Sequence, residues 1–280
     1  MTTISSLSRT PSVRSHVAAD SVTMLRRNLL HMVRYPALSM FTVLGPVVIL
    51  LLFVFVFGGA LGAAVPGLST AAGAAASDRG AYLAYVVPGI LVITIAGGAG
   101  GTATTVAMDM REGVVARFRT MSISRAAVLT GHVLGNLLQG LIAVALVFGV
   151  SLLIGFRPTS GPLQWLALFG VVALVQFAVV WLAVAMGMAA TSVESASNLP
   201  LILVILPLVG SGFVPTSTMP AALQAFAQYQ PFTPFTETIR GLLLATPIGT
   251  AGWLTLAWSL AIALAGYVWA LALYNRRSVR

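Results

Sequence analysis

The stretch VVILLLFVFVF (Val47–Phe57) is apolar at every position, and the window Leu38–Leu61 around it carries no charge. As a helix rising about 1.5 Å per residue, that window reaches about 35 Å, enough to cross the ~30 Å hydrocarbon layer of a bilayer. Pro46 lies inside it, where a helix kinks. Working outward, five more apolar stretches read as spans: Tyr85–Met108, Ala126–Phe156, Leu163–Ala190, the shorter Leu199–Val214 (interrupted by Pro207) and Ala251–Tyr274. The expected fold class is therefore all-α, a polytopic membrane protein with six transmembrane helices.

Composition agrees. Of 280 residues, 58% are hydrophobic and only 8% charged, against the ~25% charged residues of an ordinary soluble domain. So much apolar surface has to be solvated by lipid. No cleavable leader is expected, because the first ~35 residues are polar and basic with no short apolar core of their own. Cysteine is absent, which excludes disulfides and thiolate metal sites.

The basic residues are all arginine, and their placement sets the expected orientation. Arg9, Arg14, Arg26, Arg27 and Arg34 precede the first span; Arg111, Arg117, Arg119 and Arg125 follow the second; Arg276, Arg277 and Arg280 follow the sixth. Only Arg79, Arg157 and Arg240 fall on the other side. The positive-inside rule then puts both termini in the cytoplasm. Residues 1–19 are expected to be a disordered cytoplasmic N-terminus, 20–275 the membrane domain and 276–280 a cytoplasmic tail. The arginines flank apolar spans instead of forming one basic face, so nucleic acid is not the expected partner. Without a lysine the chain also lacks the ammonium that a phosphate-binding P-loop places on a nucleotide. Any ATP that powers it must be hydrolysed by another polypeptide.

Two stretches outside the spans have readable chemistry. Between Asp20 and Tyr35 the apolar residues Val22, Leu25, Leu29, Met32 and Val33 recur every three or four positions, with Arg26, Arg27 and Arg34 between them. That pattern predicts an amphipathic helix lying in the inner interface beside anionic head groups, against the plainer reading of a basic flank. In the segment Asp109–Arg125, Val114, Val115, Phe118 and Met121 form an apolar stripe rimmed by Arg111, Glu112, Arg117 and Arg119. A short helix of this kind docks into a partner's groove, or packs on its own chain's helix ends; the pattern leaves the two even.

Elsewhere the signals are sparse. Gly97-x-x-x-Gly101 and Gly131-x-x-x-Gly135 have the spacing that lets helices approach closely in lipid, with a pathway-lining or hinge role as the alternative. The spans hold no ionisable pair for a proton relay; Asn136, Gln139 and Gln176 are their main polar residues. His16, His31 and His132 lack ligand spacing, and Asp109 and Glu112 sit among arginines, so neither a metal site nor a catalytic centre is expected.

Three stretches carry a family resemblance: Leu29–Phe57; Tyr85-Val-Val-Pro-Gly-Ile-Leu91 together with Arg111–Leu129; and Gly212–Phe226 continuing to Gln230-Pro-Phe-Thr-Pro234. Over about residues 20–275 the order of parts resembles the ABC-2 type permease family, in particular the daunorubicin-resistance-like membrane subunits of bacterial drug exporters. The resemblance implies an N-terminal connecting helix on the inner leaflet. It puts the ATPase-coupling helix at about Arg111–Met121. It also implies a short re-entrant external hairpin between spans five and six, covering Met219–Pro247 with Met219, Pro220, Phe226, Pro231, Glu237 and Arg240. It implies that ATP and Mg are bound by a separate ABC ATPase subunit and not by this chain, and that a second permease copy or paralogue completes the transporter. The implied cargo is a hydrophobic or amphiphilic small molecule, drug-like or lipid-like, moved out across the bacterial plasma membrane. A lipid or glycan-carrier exporter of the same family is the alternative. A membrane-embedded enzyme or a secondary transporter ranks lower, because no convergent polar residues, intramembrane charges or internal repeat support either.

Overall fold

The computed structural model describes residues 36–58, 75–111 and 125–276, and among them it is helical with no strand. Helix α1 (Pro36–Leu52) contains Pro46 and runs on through a π-helical turn at Phe53–Phe57. Helices α2 (Ala75–Arg111), α3 (Arg125–Ile154) and α4 (Pro162–Ala189) follow. Two short helices come next, α5 (Val193–Asn198) and α6 (Leu201–Leu208). A 3₁₀ turn at Thr216–Thr218 leads into α7 (Ala221–Tyr229) and α8 (Phe232–Leu244), and α9 (Ala251–Arg276) closes the described chain.

Among the described residues, four helices are long and apolar enough to cross a membrane: Gly80–Arg111, Val133–Ile154, Pro162–Ala189 and Ala251–Leu273. Two apolar stretches, Leu44–Phe57 and Val193–Leu208, are shorter. The protein is thus a multi-pass membrane protein built of helices. The long helices match the expected second, third, fourth and sixth spans. Two local features explain their ends: Pro162 opens α4 at its first turn, where a missing N–H costs nothing, and Gly155, at φ 117°, stops α3 just before Phe156.

The expected second and fifth spans need correction. Helix α2 starts at Ala75, ten residues before Tyr85, so Asp78 and Arg79 fall within the helix and not in a loop. Residues Thr191–Asn198, the polar stretch between the expected fourth and fifth spans, are largely helix α5. The Ser192 hydroxyl accepts the Ser195 N–H at 3.0 Å and so caps its first turn. The expected span Leu199–Val214, interrupted by Pro207, is helical only in part: α6 begins after Pro200 and ends at Leu208, just past Pro207.

Helix α2 is the axis of the bundle, touching α1, α3, α4, α5, α6 and α8, while α9 lies along α4. Its central turns, Val86–Val87 and Ile90–Ile93, are buried together with Val175 and Val179 of α4 and Phe235 and Ile239 of α8. The outer faces of α1, α4 and α9 expose Phe55, Val56, Leu163, Phe169, Leu260 and Leu264, as a lipid-facing wall requires. Lipid supplies no hydrophobic drive for helix association, so close backbone contact has to provide it. A β-carbon on Gly187 of α4 would stand 2.4 Å from the Ala103 carbonyl oxygen of α2, and one on Gly266 of α9 would stand 2.7 Å from the backbone at Trp181 and Leu182. The threonine hydroxyls of α2 are satisfied within the helix: Thr94, Thr102, Thr104 and Thr105 each donate to the carbonyl four residues back.

Candidate functional site

At one end of α2 stands Arg111, the first residue of the segment with the docking stripe. Its guanidinium donates to the Thr191 carbonyl in the turn between α4 and α5. This is a contact that sequence spacing could not foresee, because the acceptor is backbone. The other candidate docking residues, Glu112, Val114, Val115, Arg117, Phe118, Arg119 and Met121, lie outside the described residues. So do Arg26, Arg27, Leu29 and Arg34 of the expected interfacial helix.

Toward the other end of α2, the α7–α8 pair is fastened. Pro220 precedes α7 and Pro231 precedes α8, each at a helix start where proline's fixed φ fits and no N–H is lost. Met219 ends the 3₁₀ turn before Pro220. Helix α7 lies at the surface, with Phe226 and Tyr229 exposed, whereas α8 is buried through Phe232, Phe235, Ile239 and Leu243. Glu237 is exposed; Arg240, three residues on, turns inward.

Arg240 is the polar centre of this end. One guanidinium nitrogen donates to the Ser211 carbonyl at 2.8 Å and to the Tyr85 carbonyl at 3.1 Å. The guanidinium carbon sits 4.3 Å from the centre of the Tyr85 ring, a cation–π distance. These partners are neutral. Pro88 helps to explain the dock: with no N–H, it leaves the Ala84 carbonyl without a helical donor and loosens the turn that holds Tyr85. Beside this point the chains meet backbone to backbone, since a β-carbon on Gly89 would stand 2.7 Å from the Gly212 carbonyl oxygen.

Three further ties fix α8. The Ser160 hydroxyl, in the turn between α3 and α4, lies 2.6 Å from the Leu242 carbonyl and 2.8 Å from that of Leu243. The Thr159 N–H donates to Leu243 at 3.1 Å, so this turn caps the carbonyl end of α8. The buried hydroxyls of Thr238 and Thr255 are 2.9 Å apart and join α8 to α9.

The glycine pair singled out in the sequence behaves differently from a packing motif. A β-carbon on Gly97 or Gly101 would meet no atom within 4 Å, so the pair is not a helix crossing within this chain among the described residues. The close crossings use Gly89, Gly187, Gly212 and Gly266. Gln176 is buried, and its amide fills the space where a Gly140 side chain would stand. Among the described residues no group of three His, Cys, Asp or Glu side chains could hold a metal ion.

Sequence comparison places this architecture. Residues 21–244 match the ABC-2 type transporter family. The chain is 30% identical over 241 residues to the "Daunorubicin resistance ABC transporter permease protein DrrB1" of Streptomyces coeruleorubidus, covering 85% of this chain and 78% of that protein. It is 27% identical over 212 residues to the "Probable doxorubicin resistance ABC transporter permease protein DrrC" of Mycobacterium tuberculosis, covering 74% of this chain and 72% of that one. Family match, helical membrane architecture and the order of the parts agree: the chain belongs to the ABC-2 type transporter family.

Proposed function

We propose that this protein is the membrane-spanning half of an ATP-driven exporter, with both termini in the cytoplasm of a bacterial plasma membrane. In this reading α1 and the broken α5–α6 stretch complete six crossings. The N-terminal segment lies along the inner interface, and α7–α8 form the re-entrant external hairpin. A separate ABC ATPase binds ATP and Mg, closes on nucleotide and pushes the segment Arg111–Met121. A second permease copy or a paralogue faces this one. The cargo is a hydrophobic or amphiphilic molecule, for which drug-like compounds lead because the named relatives are drug-resistance permeases.

The observation that carries the reading is the course of α2. One unbroken helix runs from the Arg240 clamp at Tyr85 to Arg111, where the docking segment begins. At 1.5 Å per residue those two points are about 39 Å apart, so one rigid element links the two working ends across the membrane. The open face at Gly97 and Gly101 supports a role against the second permease or the cargo path, since nothing within the described chain covers it. What the chain contributes is a pair of alternative packings with different contacts, not bond chemistry.

The test is co-purification. Solubilised in mild detergent, the tagged chain should bring down an ABC ATPase subunit expressed beside it. Isolation of the chain without that subunit, under conditions where both are made and folded, would count against the proposal.

A further inference from the structure

Two bodies meet at the Arg240 end. Helix α2 and the segment after α6 are joined backbone to backbone at Gly89 and Gly212. Helix α8 is joined to the α3–α4 turn through Ser160 and to α9 through Thr255. Arg240 bridges them, from α8 to the Tyr85 and Ser211 carbonyls. A second tie, the Ser211 N–H to the Thr233 hydroxyl, is long at 3.4 Å.

We propose that Arg240 is a positioning residue that latches the outer end of the bundle shut, and that its release lets α2 and the segment after α6 swing away from α8. The inference rests on the export reading above. Three observations support it.

The first is the chemistry of the bond. Separating a buried ion pair strands a charge on each side, which makes it a poor latch. Here release strands no carboxylate, because the acceptors are carbonyl oxygens and a ring.

The second is the state of the packing. Arg240 Nε, Ser211 Oγ and both amide atoms of Gln230 are buried without a hydrogen-bond partner. Gln230 Nε2 lies 2.8 Å from where a Gly210 side chain would begin, so these orphaned groups cluster around the residues that the latch holds. A closed packing that leaves polar groups unpaired is penalised, and admitting water relieves the penalty. The shut state is thereby kept close in free energy to an open, wetted one, as a gate requires.

The third is the backbone. Both segments beside the latch carry a proline there, Pro88 inside the continuous helix α2 and Pro207 in the last turn of α6, and the second segment adds the glycines 210 and 212. The tight Gly187–Ala103 crossing between α4 and α2 lies nearer Arg111, where it serves as the fixed point of the lever.

The chain has no cysteine, so Ser211→Cys introduces a single thiol at a buried position whose hydroxyl makes no bond. The complex with its ATPase, in nanodiscs that leave both faces open to solution, is treated with a hydrophilic maleimide with and without ATP plus vanadate. Labelling should be slow without nucleotide and about tenfold faster when trapped, the factor expected for loss of one charge-assisted hydrogen bond. Adding Arg240→Gln should make it fast without nucleotide. If that variant fails to fold, the nucleotide comparison in the Arg240 chain decides alone. Labelling equally slow in every nucleotide state, while the complex hydrolyses ATP in response to cargo, would overturn the latch and leave the export reading intact. An absence of any ATPase complex would overturn both.

Discussion

Gly89 and Gly212 meet so closely that neither has room for a side chain: a β-carbon on Gly212 would stand 3.1 Å from the Gly89 Cα, and one on Gly89 would stand 2.8 Å from the Gly212 Cα. Both neighbours are backbone, which cannot rotate aside. Gly89→Ala should therefore destabilise the protein by about 1–3 kcal/mol, the usual penalty of overpacking. Gly97→Ala, which meets open space, should leave stability close to wild type. Thermal unfolding in detergent compares the two, and equal melting temperatures would show that the Gly89–Gly212 contact does not constrain the bundle.

The Thr238–Thr255 hydroxyl pair, buried at 2.9 Å, joins α8 to α9. Interhelical hydrogen bonds of this kind average about 0.6 kcal/mol in membrane proteins. A cycle of Thr238→Val, Thr255→Val and the double variant should return a coupling of about that size. Strictly additive single effects would mean that the two hydroxyls stabilise the helices independently.

Phe118 stands in the stripe Val114, Val115, Phe118, Met121 that the family resemblance assigns to ATPase coupling. Phe118→Ala should weaken docking of the ATPase subunit about tenfold, as truncation of an aromatic anchor does. Binding of the purified subunit to the chain in nanodiscs measures it; an unchanged affinity would remove this stripe from the interface.

Orientation can be read with single cysteines in this cysteine-free chain. Thr159, exposed in the α3–α4 turn, and Ser278, in the basic tail, fall on opposite sides in the proposed topology. In intact cells, Thr159→Cys should react with an external impermeant maleimide and Ser278→Cys should not. The reverse pattern would invert the assignment.

How far the sequence foretold the fold depended on the kind of signal. Helix α4 was legible almost to the residue, because Pro162 opens an uninterrupted apolar run. Helix α5 was not, because Ser192, Glu194, Ser195 and Asn198 read as loop, and only the Ser192 cap reveals a helix start. In span five the interruption at Pro207 was legible, but apolar composition did not show that the helix is only two turns long, from just after Pro200 to Leu208. Gly97 and Gly101 had the motif but meet no neighbour among the described residues, whereas Gly187 and Gly266, outside any such motif, make tight crossings. Arg240 was named from the resemblance, but its partners are backbone carbonyls and a ring, which no side-chain pattern encodes.

The sharpest test of the account as a whole is transport in liposomes, with the purified chain reconstituted alone and together with its ATPase and an amphiphilic drug loaded on the ATPase side. The account predicts that drug moves, and that ATP hydrolysis rises with drug, only when both polypeptides and ATP are present. Drug movement or ATP hydrolysis by this chain alone, at the rate of the complex, would contradict it.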